Sequence, residues 1–278
     1  MKTKYTAATC VAMIVTATSG WAQSFDVASV KQNKSGEQRS LGIRYLPGGR
    51  LTATNASLYG IIANAYSTSS QSVRLSGGPD WIRSERYDIE AAAPEGAIPS
   101  GASPQLLNEK MRLMLQKLLA DRFQLTIRRE TKEIPVYAVV VSKSGPKLQK
   151  AKIDEKNCVE SPAPGEIPCH GVSGGQGRGV HAQALSIADL AGFVENWTDR
   201  PVVDQTGIQG LFKIDTDGWT PLLPQQGPAA DSDEAKAVAD PSRPTLFDVF
   251  EQLGLKLERT KAPIETFAIE HVERPSEN

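Results

Sequence analysis

Gly171-Val-Ser173-Gly-Gly175 comes closest to reactive chemistry in this sequence, a G-x-S-x-G run with His170 before it and His181 after it. In a nucleophile elbow the serine sits on a sharp turn between a buried strand and a helix. Here Pro168-Cys169-His170 precedes the run and more glycine follows it, so both flanks are missing and the run reads as a flexible connection. Gly177-Arg-Gly179-Val-His-Ala182 grazes the dinucleotide fingerprint, yet a strand pattern rather than a helix follows it. Asp215-Thr-Asp217-Gly218 starts like a calcium loop, but the twelfth position holds Gln226 instead of a bidentate glutamate.

The remaining reactive types are scattered. His181 and His271 fall on alternating stretches beside apolar neighbours, as strand histidines with structural or solvent-facing roles do. Met111 and Met114 lie at helical spacing and read as core filler. No residue is therefore assigned as catalytic or as a metal ligand, and no cofactor is expected. Asp80-Trp81 and Arg200 with Asp204 are the candidate ligand-binding residues, because they stand at turns between helix and strand, where polar and aromatic groups meet ligands. The competing reading of Trp81 is a core plug beside Ile82.

Compartment is read from the N-terminus and the cysteines. Lys2 and Lys4, the apolar run from Ala7 to Thr18 and the small residues of Gly20-Trp-Ala22 form the pattern of a secretory signal peptide over residues 1–22. The run is shorter than the roughly 20 residues a membrane helix needs, and no later stretch is apolar enough to span a bilayer. Without the signal the charge is 29 basic (31 − 2) against 32 acidic, a formal −3, with no clustered Lys/Arg for nucleic acid. A periplasmic or secreted protein is expected. Cys158 and Cys169, the pair left after cleavage, then read as a disulfide. A metal site of Cys158, Cys169 and His170 is the alternative, weakened by the lack of a second ligand pair at zinc-like spacing.

The elements that carry these residues repeat. Leu125 matches Leu255, Ile127 matches Leu257, Ile134 matches Ile264, Tyr137 matches Phe267 and Ala138 matches Ala268, each pair 130 positions apart (255 − 125, 268 − 138). That period is a duplicated module rather than a solenoid unit. Apolar spacing predicts helices beginning after Asn55 or Ser57, over 105–122, after Ser186 with Asp189 at the third position, and over 245–253 ending at Gly254. Alternation predicts strands at 25–30, 43–46, 50–54, 86–91, 180–184 and 211–215. Phe123–Glu130 with Pro135–Ser142, and Leu255–Arg259 with Glu265–Val272, read as two hairpins, and the tail from Glu273 should fray. The expected fold is α+β: two repeated modules, 24–144 and 180–272, each a helix pair packed on a small mixed or antiparallel sheet. A Gly/Pro-rich linker, 145–179, joins them, and 222–241 is a polar, mobile insertion.

Several blocks together resemble one family. They are Phe25-Asp-Val-Ala-Ser-Val-Lys31, Gly77-Gly-Pro-Asp-Trp-Ile82, Leu118-Leu-Ala-Asp-Arg-Phe123, Arg129-Glu-Thr-Lys-Glu-Ile-Pro-Val-Tyr137, Arg200-Pro-Val-Val-Asp-Gln-Thr-Gly207 and the ending His271–Asn278. The chain is similar to an uncharacterised secreted domain-of-unknown-function family, expanded in soil bacteria. Some of its members are attached to membrane metallopeptidases of the antibiotic-sensor type. The resemblance implies extracytoplasmic sensing but carries no catalytic residues, and the peptidase motif H-E-x-x-H is absent here. The helix-then-hairpin pattern is also similar to the short interaction modules of secretins and TonB-dependent receptors.

The expectation is a non-enzymatic binding or sensory module of the cell envelope, contacting an envelope protein or a small extracellular ligand. The alternative is a small extracytoplasmic hydrolase with a site between the modules drawn from His181, Asp204 or His271.

Overall fold

A computed structural model describes residues 24–37, 42–68, 72–102, 104–158, 169–220, 222 and 242–275. The signal segment, and the expected insertion apart from Leu222, lie outside the described residues. With 24% helix and 39% strand the chain is α+β.

The elements run β1 (Val27–Asn33), β2 (Gly42–Leu46), β3 (Arg50–Ser57), α1 (Leu58–Ala65), β4 (Leu75–Gly77), α2 (Trp81–Ser84), β5 (Arg86–Ala92), α3 (Pro104–Phe123) and β6 (Thr126–Val141). They continue with β7 (Gln149–Lys150), β8 (Ser173–Gly175), β9 (Gly179–Leu185), α4 (Ile187–Val194), β10 (Val202–Asp204), β11 (Phe212–Asp215), α5 (Leu246–Gln252) and β12 (Leu255–His271). Single 3-10 turns stand at Glu155–Asn157 and Glu195–Trp197.

The two expected hairpins do not form. Each stretch is one long strand, of 16 residues in β6 and 17 in β12, and the two pair antiparallel along nearly their whole length, from Leu255 opposite Val141 to His271 opposite Thr126. The reason is local: neither strand holds a Gly, Asn or Asp where a tight turn could reverse the chain. Pro135 and Pro263 sit inside the ladder opposite Lys261 and Glu133. Two short strands flank this ribbon in parallel, β10 beside Tyr137–Val139 and β4 beside Phe267–Ile269, giving the order β10-β6-β12-β4.

The other two sheets are antiparallel throughout, with orders β1-β5-β3-β2 and β7-β11-β9-β8. The stretch read from its glycines as a linker supplies β7 and β8 to the second of them. Its glycines serve close approach rather than slack. A Cβ on Gly179 (φ 83°) would meet the Thr216 carbonyl oxygen at 1.9 Å, and one on Gly174 (φ 113°) the Gly179 carbonyl oxygen at 2.0 Å.

Helix starts follow their caps. The Ser57 hydroxyl accepts from the Gly60 amide at the head of α1 (3.2 Å), and Ser186 and Thr245 form reciprocal capping boxes with Asp189 and Asp248 on α4 and α5. In α3, Leu107, Met111, Met114, Leu115, Leu118 and Leu119 are buried, so both methionines are core.

Two main cores result. One gathers α1, α3, β3 and β5 with Phe267 and Ile269 from the far end of β12. The other gathers α4, α5, β9 and β11 with Tyr137 and Val139 from the far end of β6. Each long strand therefore begins in the core of its own half and ends in the core of the other. Full burial of such side chains stabilises by about 1.5–3 kcal/mol apiece, so either core is incomplete without the other half's strand. A small third cluster surrounds the Cys158–Cys169 disulfide. The tail expected to fray from Glu273 is held at its start: the Glu273 amide donates to Phe123 O (2.7 Å) and Arg274 reaches Glu85.

Candidate functional site

The C-terminal end of α1 and the helix α4 face each other across a cleft of about 470 Å³. One wall belongs to the first half and carries Asn64, Thr68, Arg74 and Arg112. The other belongs to the second half and carries His170, Asp189, Phe193 and Glu195. The walls are opposite in charge, two guanidiniums facing two carboxylates.

The basic wall is held in place by its own neighbours. Tyr45 donates its hydroxyl to the Asn64 side-chain oxygen (2.5 Å). Burial pushes the Tyr45 phenol up to about 12, while Arg112 pulls the other way, so it remains a donor at any ordinary pH. Arg74 donates through Nε to Glu265 O (3.2 Å) and lies over the Phe267 ring, 5.9 Å from its centroid. Arg112 projects from α3 at the flank of its buried stripe and is half-buried. Its Nε is buried without a hydrogen-bond partner, as is Thr68 Oγ1, and no carboxylate pairs with Arg112 among the described residues. Buried polar atoms normally find partners, so this wall keeps donor capacity that the described residues do not use.

The acidic wall comes from the cap and the end of α4. Asp189 is the third residue of α4, and its Oδ2 accepts from the Ser186 hydroxyl (2.5 Å) and from His170 Nδ1 (2.5 Å). Glu195 accepts from the Val202 amide (3.2 Å) and, across the cleft, from the Ser72 hydroxyl (3.4 Å). Phe193 offers an apolar surface backed by Trp197, ring centroids 5.0 Å apart. Such walls can hold a small molecule with an anionic end against Arg74 and Arg112 and a cationic or hydroxyl end against Asp189 and Glu195.

The four residues singled out from sequence do not meet in this cleft. Asp80 and Trp81 follow β4, and Arg200 and Asp204 flank or belong to β10, on opposite edges of the central sheet. Asp80 is exposed at the head of α2 without a side-chain capping bond. Trp81 is half-buried against the first core, and the Arg274 guanidinium lies 4.7 Å from one of its ring centroids. That guanidinium also holds the Glu85 carboxyl below its usual range. Arg200 stacks over Tyr137 (4.9 Å) and grips Asp199 (2.5 and 3.0 Å), which lowers the Asp199 carboxyl. Asp204 closes a turn, accepting from the Thr206 amide (2.8 Å) and hydroxyl (2.7 Å).

The other sequence candidates are likewise engaged. His181 bonds Asp215 (2.7 Å) and the Arg178 carbonyl (2.7 Å), and His271 bonds Glu273 (2.9 Å), on different sheets. The Ser173 hydroxyl donates to the His181 carbonyl (3.4 Å), not to an imidazole. His170 is the histidine that reaches the cleft. Both of its ring nitrogens are engaged by carboxylates, Asp189 on one side and Glu155 on the other (3.0 and 3.1 Å).

A family model described as "Protein of unknown function (DUF3738)" matches residues 59–272, most of the chain, and the chain belongs to that family. No curated protein and no solved structure matches it.

Proposed function

We propose that this family member is an exported, non-enzymatic binding module whose ligand sits in the cleft between its halves. The observation that carries this reading is the cleft itself, with Arg74 and Arg112 on a wall from one half and Asp189 and Glu195 on a wall from the other. The ligand class is a small molecule with an anionic group, a carboxylate or a phosphate, for the arginine wall. Export is supported by the signal-like N-terminus and by the disulfide, a bond that persists in oxidising compartments. No helix among the described residues is long and apolar enough to cross a membrane.

The reading includes a duplicated α+β unit. Supporting it are the matching strand orders of the two outer sheets and the matching partners at the central ribbon. Tyr137 stands opposite Arg259 and beneath Arg200, while Phe267 stands opposite Arg129 and beneath Arg74. A cleft at the seam of two such units is where a ligand could report on their relative arrangement.

A thermal-shift panel of amino acids, dicarboxylates and sugar phosphates tests the proposal. A ligand present at 100 times its Kd adds about 2.7 kcal/mol, a rise of about 5–10 °C in Tm for a chain of this size. If none of the three classes moves Tm, the reading fails.

The second reading, a hydrolase, draws on the His170–Asp189 pair at the cleft wall. Turnover of ester, peptide or glycoside substrates that is lost in His170→Ala would replace the binding account with that one.

A further inference from the structure

One corner of the second half gathers metal-type ligands around a disulfide. Glu155 stands in a 3-10 turn, and Cys158 follows that turn and is bonded to Cys169. A carboxylate oxygen of Glu155, the Cys158 sulfur and a ring nitrogen of His170 all lie within 4.8 Å of one another. Cys169 and His170 are sequence neighbours, whose side chains would point to opposite faces of an extended strand. The left-handed backbone at His170 (φ 56°) breaks that alternation, and Cys169 is joined to the corner through its bond to Cys158. Such a conformation is uncommon for a residue other than glycine and tends to accompany ligand sites.

The histidine is oriented as in metal centres. Its Nδ1 is tied to Asp189 (2.5 Å), and its Nε2 faces both oxygens of Glu155 (3.0 and 3.1 Å). In the neutral tautomer that donates Nδ1–H to Asp189, Nε2 would face the Glu155 carboxylate with its lone pair, an arrangement that a cation between them satisfies. A carboxylate behind a ligating imidazole is the usual outer partner at zinc. The imidazole is 11% exposed and both cysteines are buried, while Glu155 stands on the solvent side of the corner.

We propose that this corner is a redox-gated site for a zinc-type cation. A dithiol reductant gives two electrons and two protons to the Cys158–Cys169 bond and leaves as its own disulfide, freeing two thiols. On binding the divalent cation these release their two protons and become thiolate ligands, joined by His170 Nε2 and Glu155. Two thiolates, one imidazole and one carboxylate make a four-ligand set of the kind zinc takes, with Asp189 as the positioning residue. In the oxidised chain the sulfurs are spent on each other and the set is incomplete. The site shares His170 and Asp189 with the cleft wall, but none of its steps needs a cleft ligand.

The test uses the full chain, oxidised or reduced with tris(2-carboxyethyl)phosphine and freed of reductant without oxygen. Cobalt(II) serves as the probe, and zinc retained after gel filtration is counted by elemental analysis. The expected result for the reduced chain is one metal per chain, with thiolate-to-cobalt charge transfer and the visible bands of a tetrahedral centre. The oxidised chain should show neither. His170→Ala should abolish the tetrahedral bands, and Asp189→Asn should weaken affinity about 10–100-fold. The proposal is overturned if the reduced chain takes up no metal, if oxidised and reduced chains bind alike, or if His170→Ala binds as the parent does. It is also overturned if reduction unfolds the chain, followed by circular dichroism, and cobalt fails to restore ellipticity and tetrahedral bands together.

Discussion

Phe267→Ala is the substitution that most sharply tests how the two halves depend on each other. Phe267 comes from the last strand of the chain yet is 2% exposed within the core of the first half. Its ring packs on Tyr66 with centroids 5.0 Å apart, and Arg74 and Arg129 lie over it at 5.9 and 5.7 Å. Deleting a buried phenylalanine costs about 3–5 kcal/mol, and the lost aromatic pair contributes up to about 1.5 kcal/mol beyond area burial. At about 2–4 °C per kcal/mol for a domain of this size, Tm should fall by roughly 6–20 °C. The assay is urea unfolding followed by tryptophan fluorescence and circular dichroism. Trp81 reports on the first half, and Trp197 and Trp219 on the second. Because β6 and β12 each end in the other half's core, both halves should unfold together, in one transition shifted to lower urea. A loss below about 1 kcal/mol, or two transitions with the second half unmoved, would refute the interlocked core.

Three further predictions concern single contacts. Thr245→Ala removes the cap of α5 and should cost about 1 kcal/mol. Its partner Asp248 is held below the ordinary carboxyl range by the Thr245 hydroxyl and amide. The parent's contribution from this pair should therefore be present above about pH 3.9 and vanish as pH falls through the lower folded value, seen as a smaller acid slope in the mutant's melting curves. The Asp215 carboxylate raises the His181 imidazole, so its contribution is present below about pH 6.5 and is lost as pH rises through the folded value. An NMR titration should show the His181 midpoint dropping in Asp215→Asn, and an unchanged midpoint would contradict the pair. Arg274→Ala should free the Trp81 ring and red-shift its emission without a large loss of stability, the Arg274–Glu85 pair being exposed.

Much of the architecture was legible because packing leaves a periodic trace. The 130-residue register marks Leu125 and Leu255, Tyr137 and Phe267, and all four are buried. Ser186 with Asp189 marked the head of α4, where both halves of the capping box form. The partner of each long strand was not legible, since alternation reports that a residue run is extended and half-buried, not what it pairs with. The hairpins were expected although Thr126–Val141 has no residue suited to a reversal. The cleft was hidden for a related reason. Arg112 flanks an apolar helical stripe, and the opposite wall comes from His170 and from Asp189, 19 positions later, a spacing that matches no motif. The one available trace was the charge of Arg112 between Met111 and Met114. Trp81 and Arg200 drew attention as aromatic and cationic turn residues, and each turned out to be stacked within its own chain.

The central claim is that the seam between the halves recognises an anionic small molecule through its arginine wall. Isothermal titration of the strongest hit from the thermal-shift panel, against the parent chain and Arg112→Met, tests it most directly. Loss of one member of a desolvated charge pair costs about 2–5 kcal/mol, so Kd should rise at least about 30-fold in the variant while the fold, monitored by circular dichroism, is retained. Equal affinity in the two proteins would contradict the claim.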